Sequence, residues 1–242
     1  IDTGCNTAHK EFKGDNGRCR LAGYKSFCDY TNGDITDDNG HGTHTAGSIF
    51  GRECGMLPKA DMLIIKALDG SGDNTISNIT AAFEYAAKWR SAKGEPVDFV
   101  SASLSIPASM MTAAEIERFH NAVKALVTAD IPVFVSSGNT GTDSQARYPS
   151  FFDEVITVGA VDMNKVLAYF STRSNAVDIC QVGVNVVSAQ NTGGSGYCLK
   201  SGTSMSTPIS AGAAGLLMCK YKALFGRRMP EPVLYHSVKM NT

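Results

Sequence analysis

The chain has 242 residues, of which 43% are hydrophobic and 19% charged, and its formal net charge is −1. This composition excludes a disordered, collagen-like or coiled-coil protein, and the length is enough to bury the core of one large domain. With 22 Lys and Arg against 23 Asp and Glu, and with no apolar run near the roughly 18 residues of a membrane span, we expect neither nucleic acid nor a membrane as a partner.

Apolar, β-branched segments alternate with helical patterns along the first two thirds of the chain. The predicted elements are a strand at 62–68, a helix at 76–87 with Asn74 or Thr75 as its N-cap, a strand at 97–104, a helix at 116–126, and strands at 131–135 and 155–158. Near-continuous apolar strands joined by helices are typical of parallel sheets. The pattern therefore predicts a three-layer, doubly wound α/β fold, with a mostly parallel sheet and helices on both faces.

After residue 161 the segments become shorter and richer in Ser, Gly and Asn. Residues 184–189 and 191–196 predict an antiparallel ribbon and turns, and a helix of small residues follows over 204–217. No repeat, low-complexity tract or linker interrupts the sequence. We therefore predict one domain over residues 1–242.

Seven cysteines are many for a cytosolic enzyme of this size, and they show no CxxC spacing or tight Cys/His cluster. This argues against a zinc site and favours disulfide bonds in an oxidising compartment. The odd number leaves at least one thiol free or paired outside the chain. The sequence does not tell which cysteines pair.

Three motifs supply an acid, an imidazole and a hydroxyl. They are Asp2-Thr3-Gly4, the stretch from His41 to Gly47, and the stretch from Gly202 to Pro208. Serine hydrolysis needs these three groups, because the hydroxyl needs a base and the base needs a carboxylate to orient it. Two other hydrolase classes fit less well. An aspartic protease needs a second Asp-Thr/Ser-Gly, which is absent, and an α/β-hydrolase needs Gly-x-Ser-x-Gly, where Ser206 replaces the last glycine.

With its order of acid, base and nucleophile, the chain resembles the subtilisin-like serine proteases over nearly its whole length, most closely the proteinase K branch. The resemblance implies a subtilisin-like fold and a secreted serine endopeptidase. Asp2 would orient His41, His41 would act as general base and then general acid, and Ser204 would form the acyl-enzyme. Asn139, at the end of Ser136-Ser137-Gly138-Asn139, would donate to the oxyanion together with the Ser204 backbone N–H.

The same resemblance implies how a substrate binds. A peptide would lie as an extended strand between Gly70-Ser71-Gly72 and Ser103-Leu104-Ser105, beside Gly138 of the oxyanion loop. Arg147 falls at the floor of the primary specificity pocket. We predict that it favours or tolerates acidic residues on the acyl side of the cleaved bond; the alternative is a side chain that points to solvent.

No cofactor is expected for catalysis, but the resemblance places a structural calcium ion at the carbonyls of Asp153 and Val155 and the carboxylate of Asp178. The alternative for Asp178 is an ordinary strand-end carboxylate. His41 and His44 are spaced to share a metal, but no third ligand accompanies them.

For the remaining histidines and for the two aspartates before His41, we expect structural rather than catalytic roles. His44 is expected to be buried and hydrogen-bonded, and Asp37 and Asp38 to be solvated loop carboxylates. The remaining three histidines are expected at the surface: His9, His120 and His236.

The resemblance also implies a monomer, and an inhibitory pro-segment in the precursor. Because family members carry several tens of residues before the catalytic acid and a tail after the last helix, we expect these 242 residues to be a catalytic core shortened at both ends.

Two rival functions stay open. One is a non-catalytic subtilisin-like scaffold or inactive fragment, and the other a serine esterase on a different fold, which the motif order opposes.

Overall fold

The computed structural model describes residues 1–142 and 145–240. Along these residues lie ten strands and five α-helices. The strands are β1 (Leu21–Ser26), β2 (Met62–Lys66), β3 (Val100–Ala102), β4 (Ile106–Pro107), β5 (Val133–Ser136), β6 (Arg147–Tyr148), β7 (Ile156–Val161), β8 (Ile179–Val182), β9 (Val186–Ala189) and β10 (Tyr197–Lys200). The helices are α1 (His41–Phe50), α2 (Ile76–Lys88), α3 (Ala113–Thr128), α4 (Thr203–Phe225) and α5 (Glu231–Lys239).

A parallel sheet forms the centre of the molecule, as the sequence predicts. Its strand order is β3-β5-β7-β8, and β1 and β2 form a second parallel pair. Two antiparallel pairs, β4 with β6 and β9 with β10, lie outside it. The α/β class, the parallel sheet and the ribbon over the predicted 184–189 segment are thus confirmed.

Alternate residues of β5 point into two different cores. Val133 and Val135 pack with α2 and α3, where Phe83 and Phe119 meet edge to face with ring centroids 4.9 Å apart. Phe134 points the other way and packs against α4. This two-residue alternation gives the three layers of the predicted fold.

Helix α2 begins after the predicted N-cap Thr75, whose side chain accepts a hydrogen bond from the Asn78 N–H at 3.2 Å. None of the helices in the described part of the chain is both long and apolar enough to cross a membrane.

Several elements differ from the prediction. The sequence analysis contains neither β1 nor β8, and α4 extends to Phe225 rather than residue 217. Two further differences bear on the site. Strand β3 ends at Ala102, because Ser103 leaves the sheet and its hydroxyl donates to the Ser204 carbonyl at 2.9 Å. Helix α1 was not predicted. Its sequence has mostly Gly, Thr, Ser and His, with little apolar periodicity, although eight of its ten residues are buried.

The first two residues join the two parallel sheets. The Asp2 N–H donates to the carbonyl of Ile65 on β2 at 3.0 Å, and the Ile1 ammonium donates to the carbonyl of Ser101 on β3 at 2.9 Å. A cavity of about 480 Å³ extends from this junction between apolar side chains such as Leu63 and Phe99.

All seven cysteines lie within the described residues, and the structure contains them as free thiols. Cys5 and Cys28 are buried, whereas Cys180 and Cys219 are exposed. Burial raises the pKa of the Cys54 thiol to about 11, so this side chain stays protonated at neutral pH. The structure therefore gives the disulfide prediction no support.

The loop Asp2-Thr3-Gly4 and the first turn of α1 approach each other too closely to admit a side chain. A Cβ at Gly42 would lie 2.2 Å from the Gly4 carbonyl oxygen. Gly4 itself has φ 115°, and a Cβ there would lie 2.4 Å from the Ile35 carbonyl oxygen. Glycine at both positions is a steric requirement.

We predict that Gly42→Ala lowers the free energy of unfolding by about 1–3 kcal/mol, because the added methyl forces the loop and helix apart. Urea unfolding measures the change. Gly194→Ala is the matched control, since nothing lies within 4 Å of a Cβ at that position, and it should change stability by less than about 0.5 kcal/mol. Equal stabilities for the two variants would contradict the steric argument.

Candidate active site

Asp2 and His41 form a short hydrogen bond at the junction of the first loop and α1. His41 Nδ1 lies 2.7 Å from Asp2 Oδ1, which also accepts from the Thr3 N–H at 2.8 Å. Asp2 Oδ2 accepts from the Thr45 hydroxyl at 3.1 Å. In neutral His41, the Nδ1 proton faces the carboxylate and leaves Nε2 as the basic nitrogen.

Asp2 is buried and His41 is partly buried, and their two charges stabilise each other. Burial would raise the pKa of Asp2, but the charge of His41 and the hydrogen bonds to the carboxylate outweigh it and lower the pKa. For His41, burial lowers the pKa, yet the Asp2 carboxylate more than offsets this and holds the pKa above its ordinary value of 6.5. His41 is therefore a stronger base than a free imidazole, and it is neutral only above this raised pKa.

Asp37 holds the loop and helix together, so the prediction of a solvated carboxylate is wrong. Its side chain is buried. Oδ1 accepts from the Thr3 hydroxyl at 2.8 Å, and Oδ2 accepts from the Thr43 N–H and hydroxyl at 2.8 and 2.6 Å. The Thr3 hydroxyl in turn accepts from the Gly42 N–H at 2.8 Å. The charge is buried because several donors converge on it.

Asp38 is exposed, as expected, but its role differs from that of a solvated carboxylate. Its Oδ1 accepts from Lys66 Nζ at 2.6 Å, and the Lys66 side chain is completely buried. The Tyr30 hydroxyl donates to Asp38 Oδ2 at 2.7 Å. Asp38 therefore neutralises a buried lysine beside the first loop.

Ser204 is the second residue of α4, where the backbone N–H groups at the helix start have no partner within the helix. Pro208 has no N–H to donate to the Ser204 carbonyl, and the Ser103 hydroxyl replaces it at 2.9 Å. The Ser204 hydroxyl donates to the Ser103 carbonyl at 3.5 Å. The hydrogen bonds of the described residues include none between Ser204 and His41, although both side chains line the same cleft.

The orientation of the Asn139 amide follows from its neighbours on α4. Asn139 Oδ1 accepts from the Thr203 N–H at 2.9 Å and from the Thr203 hydroxyl at 3.0 Å. A backbone N–H can only donate, so the oxygen of the amide must face Thr203. The Nδ2 group remains as a donor, and Asn139 lines the cleft that contains Ser204.

The cleft has a volume of about 710 Å³ and brings most of the predicted binding residues together. Those that line it are Ser71, Gly72, Ser103, Leu104, Ser105, Gly138 and Arg147. Gly70 is exposed beside it, and its carbonyl accepts from the Asn39 side chain at 3.0 Å. The alternative of a solvent-pointing Arg147 does not describe the structure, because its Nε donates to the Ser105 hydroxyl at 2.7 Å.

The other histidines divide between core and surface. His44 is buried, with Nε2 3.0 Å from the Val186 carbonyl, and burial lowers its pKa to about 4. His9 is also buried, so its surface prediction is wrong: Nε2 donates to Gly196 O at 2.8 Å and Nδ1 accepts from the Glu11 N–H at 3.2 Å. His120 is half-buried and lies 2.7 Å from Glu154, whereas His236 is exposed.

Two of the three predicted calcium ligands have other partners. Lys239 Nζ on α5 lies 2.6 Å from Asp178 Oδ1, and the Tyr235 hydroxyl donates to the Asp153 carbonyl at 3.1 Å. Val155, the third predicted ligand, is buried. Calcium is held by oxygen atoms alone, so an ammonium group bound to Asp178 does not fit a calcium site. Among the described residues, no group of three His, Cys, Asp or Glu side chains is arranged to hold a metal ion.

Sequence reasoning missed the polar residues that support the predicted site. These are Thr3, Asp37, Thr45 and Thr203. All four are buried; three lie within the motifs, and Asp37 lies shortly before His41. A small polar residue inside a glycine-containing motif is a signal for a buried hydrogen bond, and it could have identified them.

Comparisons with known proteins identify the family of this chain. The family model described as the subtilase family matches residues 1–240. The chain is 36% identical to the "Intracellular serine protease" of Paenibacillus polymyxa, covering 97% of this chain and 70% of that protein. It is 35% identical to "Subtilisin-like protease 1" of Pseudogymnoascus destructans, where 90% of this chain spans half of that protein.

A solved structure described as a cold-adapted subtilisin-like serine proteinase matches 99% of this chain and 79% of that chain. The TM-score is 0.79 and the sequence identity 27%. The fold and the sequence thus lead to the same group of proteins. The chain belongs to the subtilase family of subtilisin-like serine proteases.

Proposed function

We propose that this serine endopeptidase cleaves peptide bonds in the 710 Å³ cleft, with Ser204 as nucleophile, His41 as general base and acid, and Asp2 as the group that orients His41. The observation that carries the proposal is the 2.7 Å hydrogen bond between His41 Nδ1 and Asp2 Oδ1. It leaves Nε2 as the base in a cleft that also contains Ser204.

The reaction then follows in two halves. Ser204 Oγ attacks the scissile carbonyl carbon while its proton moves to His41 Nε2, and Asp2 stabilises the imidazolium. The His41 proton passes to the leaving amine, and the acyl group stays on Ser204. Water then attacks the ester, giving its proton to His41. The acid product leaves, and the proton returns to Ser204.

The developing oxyanion needs donors that are already in position. Asn139 Nδ2 is one, because Thr203 holds the oxygen of the amide, and the Ser204 backbone N–H at the start of α4 is the other. The positive end of the α4 dipole adds to their effect.

Ser204 must turn before it reacts. Its hydroxyl faces the Ser103 carbonyl at 3.5 Å, which is a long and weak hydrogen bond. Rotation about the Cα–Cβ bond breaks only this weak hydrogen bond and frees the hydroxyl to approach His41, which lines the same cleft. Catalytic hydrogen bonds are often made only when substrate is bound.

The substrate is proposed to lie as an extended strand in the cleft. Ser71 and Gly72 line one wall and are exposed, and Ser103 to Ser105 line the other wall after β3 ends. The carbonyls of Ser103, Leu104 and Ser105 already accept hydrogen bonds from side chains. A peptide is therefore proposed to pair with the backbone N–H groups of this wall.

Three finer assignments stay predictions. The proteinase K branch is one, since the relatives include bacterial and fungal subtilases. The extracellular location is another, because the chain has free thiols and the relatives from Paenibacillus polymyxa and Bacillus subtilis are named intracellular proteases. The third is the expectation of a monomer whose precursor carries an inhibitory pro-segment.

Our proposal for the cation at Asp178 is the Lys239 ammonium in place of calcium. Lys239 Nζ is 2.6 Å from Asp178 Oδ1, while Oδ2 accepts from the Thr157 N–H at 2.8 Å. The ammonium also lies 4.2 Å from the centre of the Tyr235 ring. Burial opposes its charge, but the hydrogen bonds to Asp178 and Tyr235 and the Asp178 charge together outweigh burial and raise the pKa of Lys239.

The test of the proposed activity is labelling by an organofluorophosphonate, which reacts only with an activated serine. Ser204→Ala should abolish both labelling and peptide hydrolysis. Ser201→Ala, an exposed serine just before α4, should keep both. A folded wild-type protein that is not labelled would favour the rival function, a non-catalytic scaffold.

For Asn139, we expect Asn139→Asp to lower kcat by about 100- to 1000-fold with little change in KM, the size of effect known from subtilisin. The aspartate keeps the acceptor for Thr203 but loses the donor for the oxyanion. Steady-state kinetics on one peptide measures this. A kcat within tenfold of wild type would argue that Asn139 does not touch the oxyanion.

For Asp178, we expect a chelator such as EDTA to leave the melting temperature unchanged, and Lys239→Met to destabilise the fold by about 1 kcal/mol. Lys220→Met on α4, an exposed lysine, is the control and should have no effect. A chelator-induced fall of several degrees in the wild-type melting temperature would support calcium instead.

A further inference from the structure

Arg147 is fixed in the wall of the cleft next to the oxyanion loop. It lies on β6, which pairs with β4 so that Arg147 faces Pro107. Its Nε donates to the Ser105 hydroxyl at 2.7 Å, and its NH2 group donates to the Ser105 carbonyl at 3.1 Å. A Cβ placed on Gly138 would lie 3.3 Å from both Cδ and Nε of Arg147. The arginine therefore covers the residue that precedes Asn139.

The charge of Arg147 has no counter-ion among the described residues. Arg147 is the only Lys or Arg among the described residues that line the cleft, and none of their carboxylates pairs with it. The side chain is half-buried, and burial lowers its pKa, but a guanidinium stays charged at neutral pH. A partly desolvated cation without a partner is costly, and a ligand carboxylate would offset that cost.

The hydrogen-bonding capacity of the guanidinium is only partly used. Of its five N–H groups, those that bind Ser105 come from Nε and NH2. The NH1 group has no partner among the described residues, so donors remain for an anion. A guanidinium and a carboxylate match in geometry, and their hydrogen bonds are about twice as strong as neutral ones.

We propose that Arg147 makes this protease prefer an acidic side chain on the residue that supplies the scissile carbonyl. The proposal rests on the proposed function. It follows from position: the scissile carbonyl oxygen binds at Asn139, and Arg147 covers the adjacent Gly138. The side chain of that same substrate residue then extends between Gly138 and the Ser103–Ser105 wall, where Arg147 is held. A lysine there would be repelled by the guanidinium.

The experiment uses three peptides that are identical except for Glu, Gln or Lys at that residue. For the wild-type protein we expect kcat/KM for the Glu peptide to exceed that for the Gln peptide about tenfold or more, and the Lys peptide to be the poorest. Arg147→Gln should bring the Glu/Gln ratio close to one, and because the ratio compares two peptides on the same variant, a general loss of cleavage does not change it. Arg173→Gln, an exposed arginine that does not line the cleft, removes the same charge and should leave the ratio unchanged.

A second measurement needs no variant. Because the preference is electrostatic, raising the salt concentration to about 1 M should lower the wild-type Glu/Gln ratio. A wild-type ratio of one or less, or a ratio that Arg147→Gln does not change, would overturn the specificity proposal and leave the proposed function intact. Failure to cleave any of the peptides, together with no labelling by the fluorophosphonate, would overturn both.

Discussion

The hydrogen bond between Asp2 and His41 depends on how closely the first loop approaches the start of α1. Glycine at positions 4 and 42 permits that approach, and the buried Asp37 carboxylate maintains it by binding groups from both sides. A carboxylate and an imidazole on separate segments are thereby held 2.7 Å apart. Because each partner stabilises the charged form of the other, their geometry also sets the strength of the base.

The segment around Ser204 is likewise held by hydrogen bonds between distant parts of the chain, and here they involve backbone groups of α4. Pro208 removes one hydrogen bond from α4, and Ser103 supplies the replacement, so the helix start is linked to the wall of the cleft. Thr203 orients the Asn139 amide in the same turn. The proposed nucleophile, the proposed oxyanion donor and one wall of the cleft are therefore positioned by a single helix terminus, and small changes there are expected to affect binding and chemistry together.

Two lysines of the fold, one buried and one partly exposed, each bind a carboxylate. Asp38 neutralises the buried Lys66, and Lys239 occupies the position next to Asp178 where the family resemblance implied calcium. Arg147 differs, since the described part of the chain offers it hydroxyl and carbonyl oxygens but no carboxylate. A charged side chain with a structural role is expected to have its counter-ion within the fold. A charged side chain in a cleft without a counter-ion is available to bind a ligand of opposite charge. This contrast underlies the specificity that we propose.

The sequence by itself determined the alternation of strands and helices from residue 62 onward, and the order of acid, base and nucleophile, because apolar periodicity and short motifs are local properties. It also identified Asn139 and most of the residues that line the cleft as candidate site residues. Only the tertiary structure decided the burial of Asp37 and His9, the turn of the Ser204 hydroxyl toward Ser103, and the pairing of Lys239 with Asp178. Each of these depends on donors and acceptors from distant segments, such as Gly196 for His9, and no local pattern encodes which groups converge on a buried charge.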